Sequence, residues 1–281
     1  MTGTGTTLVI GATGTTGGRT AGQLVAAGHR VKAGSRRATP LPGAEPVRFD
    51  WHDTTTHDAA LDGADRVYLI PPLGDSDPAA VMVPFLRRAR AAGVRRAVLL
   101  SSSAVPEGGP AVGAVHRALP GLFDEWAVLR PSWFMQNFTG THAHAVSVRE
   151  DGTILTAAGS GRVGFVDADD IAAVAVRALT DDHTPCGDLV LTGPEALGYD
   201  DIAAILTQVG GRPVVHRRLP HEQLRDRLAT LVPPEFAAML ADMDSAIARG
   251  AEDRTTDTVR RVTGRPPHGF REVLERELGA R

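Results

Sequence analysis

Glycines at positions 11, 14 and 17 follow the apolar run Thr7–Ile10 and open an amphipathic stretch, in the sequence GATGTTGG. Glycines spaced by three between a strand and a helix suit one chemical task, the holding of a pyrophosphate. Gly11 permits the tight turn, Gly14 leaves the backbone open to a phosphate, and Gly17 lets the helix pack against the sheet. The helix start adds unpaired N–H groups and the positive end of a dipole. Thr13, Thr15 and Thr16 lie among these glycines and are counted with them in the cradle. A triphosphatase loop is excluded, because it requires Gly-Lys-Ser/Thr and the only lysine is Lys32, in the second apolar run.

The second run decides which dinucleotide fits. A free ribose 2′-hydroxyl is commonly met by an acid about 20 residues beyond the glycines. Here the run ends in Ser35, Arg36 and Arg37, with no acid. A guanidinium fork suits a 2′-phosphate, so the expected cofactor is NADP(H). The competing reading is a pair of solvated surface arginines. Asp50 closes the third run, where an adenine amino group could be met.

These residues need a scaffold, and the chain alternates short apolar runs with helix-like stretches. Strands are expected at 7–11, 30–34, 46–50, 66–71, 97–102 and 126–130. Helices are expected at 16–27 and 77–92, closed by Gly28 and Gly93. Such alternation implies right-handed crossovers and an α/β, Rossmann-type doubly wound parallel sheet. Beyond residue 150 the rhythm loosens, with short strands at 154–156, 162–166 and 188–192 and helices at 169–179 and 199–209. From Pro213 the chain reads as mainly helical, with breaks at Pro220, Pro233–Pro234 and Pro266–Pro267. The expected organisation is a nucleotide-binding core over 1–155, returning at about 163–193, and a smaller, mainly helical substrate region over 194–281. The Gly/Pro-rich stretch 106–115 is a candidate mobile segment, and the TGTG of residues 2–5 a frayed tail.

Composition narrows the function classes. The 281 residues carry a formal net charge of −3, dispersed along the chain, which argues against nucleic acid or an anionic membrane as partner. Cys186 is the only cysteine, so neither an internal disulfide nor a thiol metal cluster can form. No apolar run approaches the ~18–20 residues of a membrane span. No basic and apolar secretion signal opens the sequence, and the expected setting is cytoplasmic, as a monomer or homodimer.

The segments GATGTTGG, RVYLIPP, LLSSSAV, VLRPSWFMQNF and VGFVDADDIAAVA together resemble the NmrA-like atypical short-chain dehydrogenase/reductases. LTGPEALGYDDIAAIL and VTGRPPHGFREV make the chain similar to bacterial relatives of the ergot-alkaloid festuclavine/agroclavine dehydrogenase group. The resemblance spans nearly the whole chain. It implies a Rossmann fold, NADPH, and reduction of an iminium, activated alkene or quinone. An NADPH:quinone or azo reductase, and a non-catalytic NADP sensor acting on a protein partner, are the alternatives.

The Tyr-x-x-x-Lys pair usual in this superfamily is absent. The two tyrosines are Tyr68 and Tyr199, followed four residues on by Pro72 and Ala203. Carbonyl reduction, which needs a proton for the alkoxide, is therefore disfavoured relative to hydride delivery to an acceptor already electrophilic. Ile70, Pro71 and Pro72 are expected along the nicotinamide ribose, and Pro131 and Ser132 beside the carboxamide. Ser101 and Ser102 could reach substrate or ribose, or one could merely satisfy the strand end. Trp133, Phe134 and Phe138 form an expected apolar wall for a small apolar or aromatic substrate, with Gln136 and Asn137 as polar anchors. Phe134 and Met135 suit core packing as well. His116 lies near where many NmrA-like proteins carry lysine or histidine, and reads as a ribose ligand, a proton donor titrating near neutrality, or an exposed helix residue. His142 and His144 could touch substrate but supply at most two metal ligands, so no metal is expected. Among Asp167, Asp169 and Asp170, which resemble a family helix start, Asp169 reads as the N-cap.

Overall fold

The computed structural model describes residues 5–279. Seven of the apolar runs form one sheet: β1 (Thr6–Ile10), β2 (Arg30–Ser35), β3 (Glu45–Arg48), β4 (Arg66–Leu69), β5 (Arg96–Leu100), β6 (Glu125–Pro131) and β9 (Gly187–Leu191). Their order is β3-β2-β1-β4-β5-β6-β9, with β1 to β6 parallel and β9 beside β6. Direction of winding reverses between β1 and β4, the switch point where such sheets bind ligands beyond their carboxyl ends.

The strands are aliphatic because both faces are covered. On one face α3 (Ala79–Ala91) and α4 (Gly113–Ala118) bury Met82, Phe85, Leu86 and Val115 against Leu8, Ile10, Val67, Leu69 and Leu99. On the other lie α1 (Thr15–Ala26) and α6 (Ala168–Thr180), which pack on each other. Arg19 pairs with Asp169 at 3.2 Å and Gln23 donates to the Asp169 carbonyl, fastening the two helices. Helix α6 starts one residue before Asp169, which therefore sits in the first turn facing Arg19 rather than capping it. The lone lysine closes α2 (His57–Leu61): Lys32 is 6% exposed and donates to the carbonyls of Ala59 and Asp62.

The chain divides into two units, one running to Pro131 and resuming over Ala168–Val190, the other formed by Ser132–Asp167 and the chain from Leu191 onward. The division falls at the end of β6, earlier than the change of sequence rhythm near residue 155. The second unit pairs β7 (Thr153–Thr156) with β11 (Val215–Arg218), and β8 (Arg162–Val163) with β10 (Leu197–Gly198). Its helices are α5 (Ala143–Asp151), α7 (Tyr199–Gly210), α8 (His221–Leu228), α9 (Pro234–Ala248), α10 (Thr258–Thr263) and α11 (Phe270–Gly279). Its core joins Met135, Phe138, Ile154, Phe165, Tyr199, Ile202, Phe270 and Leu274. Pro220 and Pro233 precede α8 and α9, starting helices where the sequence showed breaks. Strand β11, VHRR, is mostly exposed and lacks an apolar pattern; it exists because β7 pairs with it from some 60 residues away. Residues 2–4 of the TGTG tail lie outside the described residues.

Arg96 is 5% exposed, bonds to Glu125 at 2.5 Å and donates to the carbonyls of Ala178, Leu179 and Asp181. One guanidinium thus ties β5 to the C-terminal end of α6. Arg96→Ala is expected to cost about 3 kcal/mol, because it strands buried carbonyls. Urea unfolding of the two proteins measures that loss.

Candidate functional site

Beyond β1 the chain turns at Gly11, where φ is +73°, a conformation that favours glycine. The N–H of Gly14 closes the turn on the Gly11 carbonyl at 2.9 Å. A β-carbon on Gly17 would lie 2.2 Å from that same carbonyl oxygen, and 3.0 Å from Ile70 Cδ1. On Gly14 it would meet only the Gly11 oxygen, at 3.3 Å, so this side of the turn is open. No side chain caps α1, which leaves its first-turn N–H groups directed past Gly14. Exposed Thr13 and Thr15 flank the opening, whereas Thr16 is 2% exposed and offers its backbone alone. A glycine-walled, uncapped helix start fits a pyrophosphate.

Ser35 ends β2 buried, its hydroxyl accepting from Thr39 N at 2.9 Å. Arg36 and Arg37 are exposed, and neither has an ion pair or hydrogen bond among the described residues. Asp50 lies two residues beyond β3, and one carboxylate oxygen accepts from His52 N at 3.0 Å. The Ile70 carbonyl is occupied by the Trp51 indole N–H at 3.0 Å, and its side chain fills the space under Gly11 and Gly17. Pro71 and Pro72 follow, half-buried.

The two serines after β5 differ. Ser102 Oγ accepts from Ala104 N at 3.3 Å, a local turn, while Ser101 Oγ is buried without a partner. Arg130 holds this turn by donating to the carbonyls of Ser102 and Ser103 while paired with Asp188 at 2.5 Å. His116 is 3% exposed and so not a surface residue; burial lowers its pKa, opposed by Asp188 and Glu107. It is therefore held as neutral imidazole, with Nδ1 buried and unpartnered. The 106–115 segment is a pair of closed turns, Gly108 N bonding to the Gly113 carbonyl at 2.7 Å.

Pro131 closes the first unit's opening segment, and the second unit begins with Ser132, 3% exposed, whose hydroxyl has no partner among the described residues. Trp133 and Phe134 are half-buried, and Phe134 bridges to Val166. Gln136 departs from its expected role. Its amide donates to Asp167 at 2.7 Å and Glu277 at 2.8 Å, so both donors serve the unit's interior. Thr139 also bonds to Glu277, and Arg276 and His268 each meet Asp167 at 2.9 Å. Asn137 keeps a half-buried side chain with no partner among the described residues. Phe138, 3% exposed, is core: it stacks on His144 at 5.4 Å and meets Phe165 and Phe270 edge-on. His142 Nδ1 accepts from His144 N as the α5 N-cap, which turns the two histidines to different work.

A second cluster of polar and aromatic groups centres on a buried tyrosine. Tyr199 lies between His144 and His216, with ring centroids 6.0 and 5.5 Å away, and its buried hydroxyl is unpartnered. Burial and the charge of Asp244 push its pKa up. His216 bonds Thr156 and Asp200, and Asp200 pairs with Arg218. Burial brings His144 down to about 3, helped by His142 and His216.

The profile of the NAD(P)H-binding family matches residues 11–182, which span the glycine turn, β2 to β6 and α6. The chain belongs to the NAD(P)H-binding oxidoreductases. It is an atypical short-chain dehydrogenase/reductase of the NmrA-like kind. It is 44% identical over 266 residues to the uncharacterised oxidoreductase YesF of Bacillus subtilis, covering 94% of this chain and 92% of that one. It is 39% identical over 279 residues to the agroclavine dehydrogenase of Claviceps fusiformis, covering 96% of each. Among solved structures, the NADPH-dependent quinone oxidoreductase of Escherichia coli, complexed with NADPH, shares the fold with a TM-score of 0.80 at 23% identity, over 97% of this chain and 99% of that one. As a member of this family the chain is an NAD(P)H-dependent reductase.

Two outcomes follow from the geometry. Gly17→Ala must displace the turn, so NADPH affinity falls at least tenfold in a fluorescence titration. Gly22→Ala, on the same helix with nothing within 4 Å of the added carbon, binds as wild type. His144 is neutral in the folded state down to about pH 3 but titrates near 6.5 when unfolded. Its contribution is complete above pH 6.5 and is lost as pH falls from there toward 3, by roughly 2–4 kcal/mol. Melting curves of His144→Phe across that window should decline less steeply than those of wild type.

Proposed function

We propose that the protein is an NADPH-dependent reductase delivering hydride to an electrophilic small molecule of specialised metabolism: an iminium, an activated alkene or a quinone. One observation carries this reading: none of Tyr68, Tyr199, Lys32 and His116 is a ready acid. Tyr68 and Tyr199 are fully buried with phenols pushed well above their usual range. Lys32 is committed to closing α2, and His116 is held neutral by burial. Carbonyl reduction would leave an alkoxide in need of a proton, whereas hydride addition to an iminium carbon yields a neutral amine with none transferred. Bound NADPH supplies the hydride.

The protein's own groups bind and orient. The α1 N-terminus and Gly14 hold the pyrophosphate, and Arg36 and Arg37 take the 2′-phosphate. The unpartnered hydroxyls of Ser101 and Ser132 are suited to the nicotinamide end of the cofactor or to substrate. Trp133, Phe134 and Asn137 remain available for a planar acceptor, Gln136 and Phe138 being engaged in the interior. The 39% identity to an agroclavine dehydrogenase supports the reductase reading.

Titration with both reduced cofactors tests the assignment. NADPH should bind more tightly than NADH, and Arg36→Ala should narrow the gap by about tenfold, the loss of a charge-assisted phosphate contact. Equal affinities would reject the 2′-phosphate reading. Oxidation of NADPH is expected with a cyclic iminium or a quinone; binding without turnover for either would favour a sensor.

A further inference from the structure

We propose that Arg130, anchored by Asp188, is a positioning residue for the nicotinamide half of NADP(H): it fixes the turn 101–103 on which that half rests. The inference rests on the NADPH assignment made above and adds to it a residue that acts without touching the cofactor.

In the sheet order, β2 and β3 lie on one side of β1, and β4, β5 and β6 on the other. The uncapped start of α1 follows β1, and Arg36 and Arg37 follow β2. The pyrophosphate and the 2′-phosphate end therefore occupy the switch point and the β2 side. The nicotinamide half must then cross the carboxyl ends of β4 and β5. At about 4.8 Å per strand, β5 stands roughly 10 Å from β1, a span that a ribose and a ring can cover.

Two backbone bonds tie the turn after β5 to β6. Ser101 N–H donates to the Leu129 carbonyl at 2.7 Å, and Ser103 N–H to the Pro131 carbonyl at 2.9 Å. Extended backbone alternates the direction of its N–H groups, so that of Ser102 faces β4 and the switch point. It has no partner among the described residues and is a ready donor to a ribose or carboxamide oxygen. Arg130 holds the carbonyls of this turn. Its Nε donates to Ser102 at 3.4 Å, an oxygen shared with Val105 N–H, and its Nη2 to Ser103 at 3.0 Å. Nη1 is held by Asp188 at 2.5 Å, so one planar fork joins β9, β6 and the turn.

Arg96 offers the comparison. It opens β5 at the opposite edge of the sheet, where its fork on Glu125 and the carbonyls at the end of α6 serves cohesion alone. Arg130 makes the same kind of fork at the edge where such sheets bind ligands. A lysine at 130 would keep a charge for Asp188 but could not span both carbonyls.

Calorimetric titration with NADPH and with adenosine 2′,5′-bisphosphate, which lacks the nicotinamide half, separates the two ends of the site. Arg130→Lys and Asp188→Asn should each weaken NADPH binding by about fivefold or more, while the bisphosphate stays within about twofold of wild type. Asp188→Glu should recover part of the loss. Arg96→Lys should lower the melting temperature yet bind both ligands as wild type does. Thermal unfolding of each variant confirms that it folds. Losses equal for the two ligands, or absent for both, overturn the positioning role and leave the cofactor assignment standing. Wild type that binds neither ligand overturns both. Selective loss of NADPH affinity, in a protein that oxidises NADPH with neither menadione nor a cyclic iminium, upholds the positioning role and rejects the reductase.

Discussion

A β-carbon at residue 17 would stand 2.2 Å from the Gly11 carbonyl oxygen, and the first unit is built around that approach. It lets α1 descend onto the turn after β1, with Ile70 from the end of β4 filling what space remains. Three elements are thereby locked at the point where the sheet reverses its winding. Docked so low, α1 needs a partner on its outer side, which α6 provides through Arg19 and Asp169. The same approach leaves the helix start bare of any capping side chain. Packing and ligand binding are here one geometric decision, since the missing side chains that allow the first also open the second.

The guanidinium groups divide by task. Lys32 is the only lysine among 30 basic residues, so cationic contacts fall almost entirely to arginine. Arg96 and Arg130 are sunk into the first unit, each bonding several backbone carbonyls and one acid, which a planar fork achieves and a point charge does not. Arg36 and Arg37 stand exposed and without partners among the described residues. Because Arg130 holds the carbonyls of Ser102 and Ser103, the turn that presents Ser101 is fixed from the neighbouring strand rather than by its own residues.

Local pattern made the first unit legible. Aliphatic runs between glycines gave its strands to within a residue or two, and the glycine spacing located the turn. What it could not distinguish was the inside of a core from the lining of a site, since both call for apolar and aromatic residues. Gln136 read as an anchor because its partners, Asp167 and Glu277, lie 31 and 141 residues away. Phe138 read as a wall because Phe165, Tyr199 and Phe270 are equally remote. His116 looked titratable because sequence gives its type and not its burial. Tyr199 was weighed only as a tyrosine without its lysine, because sequence gives its type and not the burial of its hydroxyl.

Pairing of buried charge is common to both units. In the first, buried ionic groups are matched: Arg96 with Glu125, Arg130 with Asp188, Lys32 with two carbonyls. In the second, Asp167 is matched with Arg276 and His268, and the buried hydroxyl of Tyr199 has no partner among the described residues. Burial drives His144 toward neutrality, so the rings around Tyr199 add no positive charge.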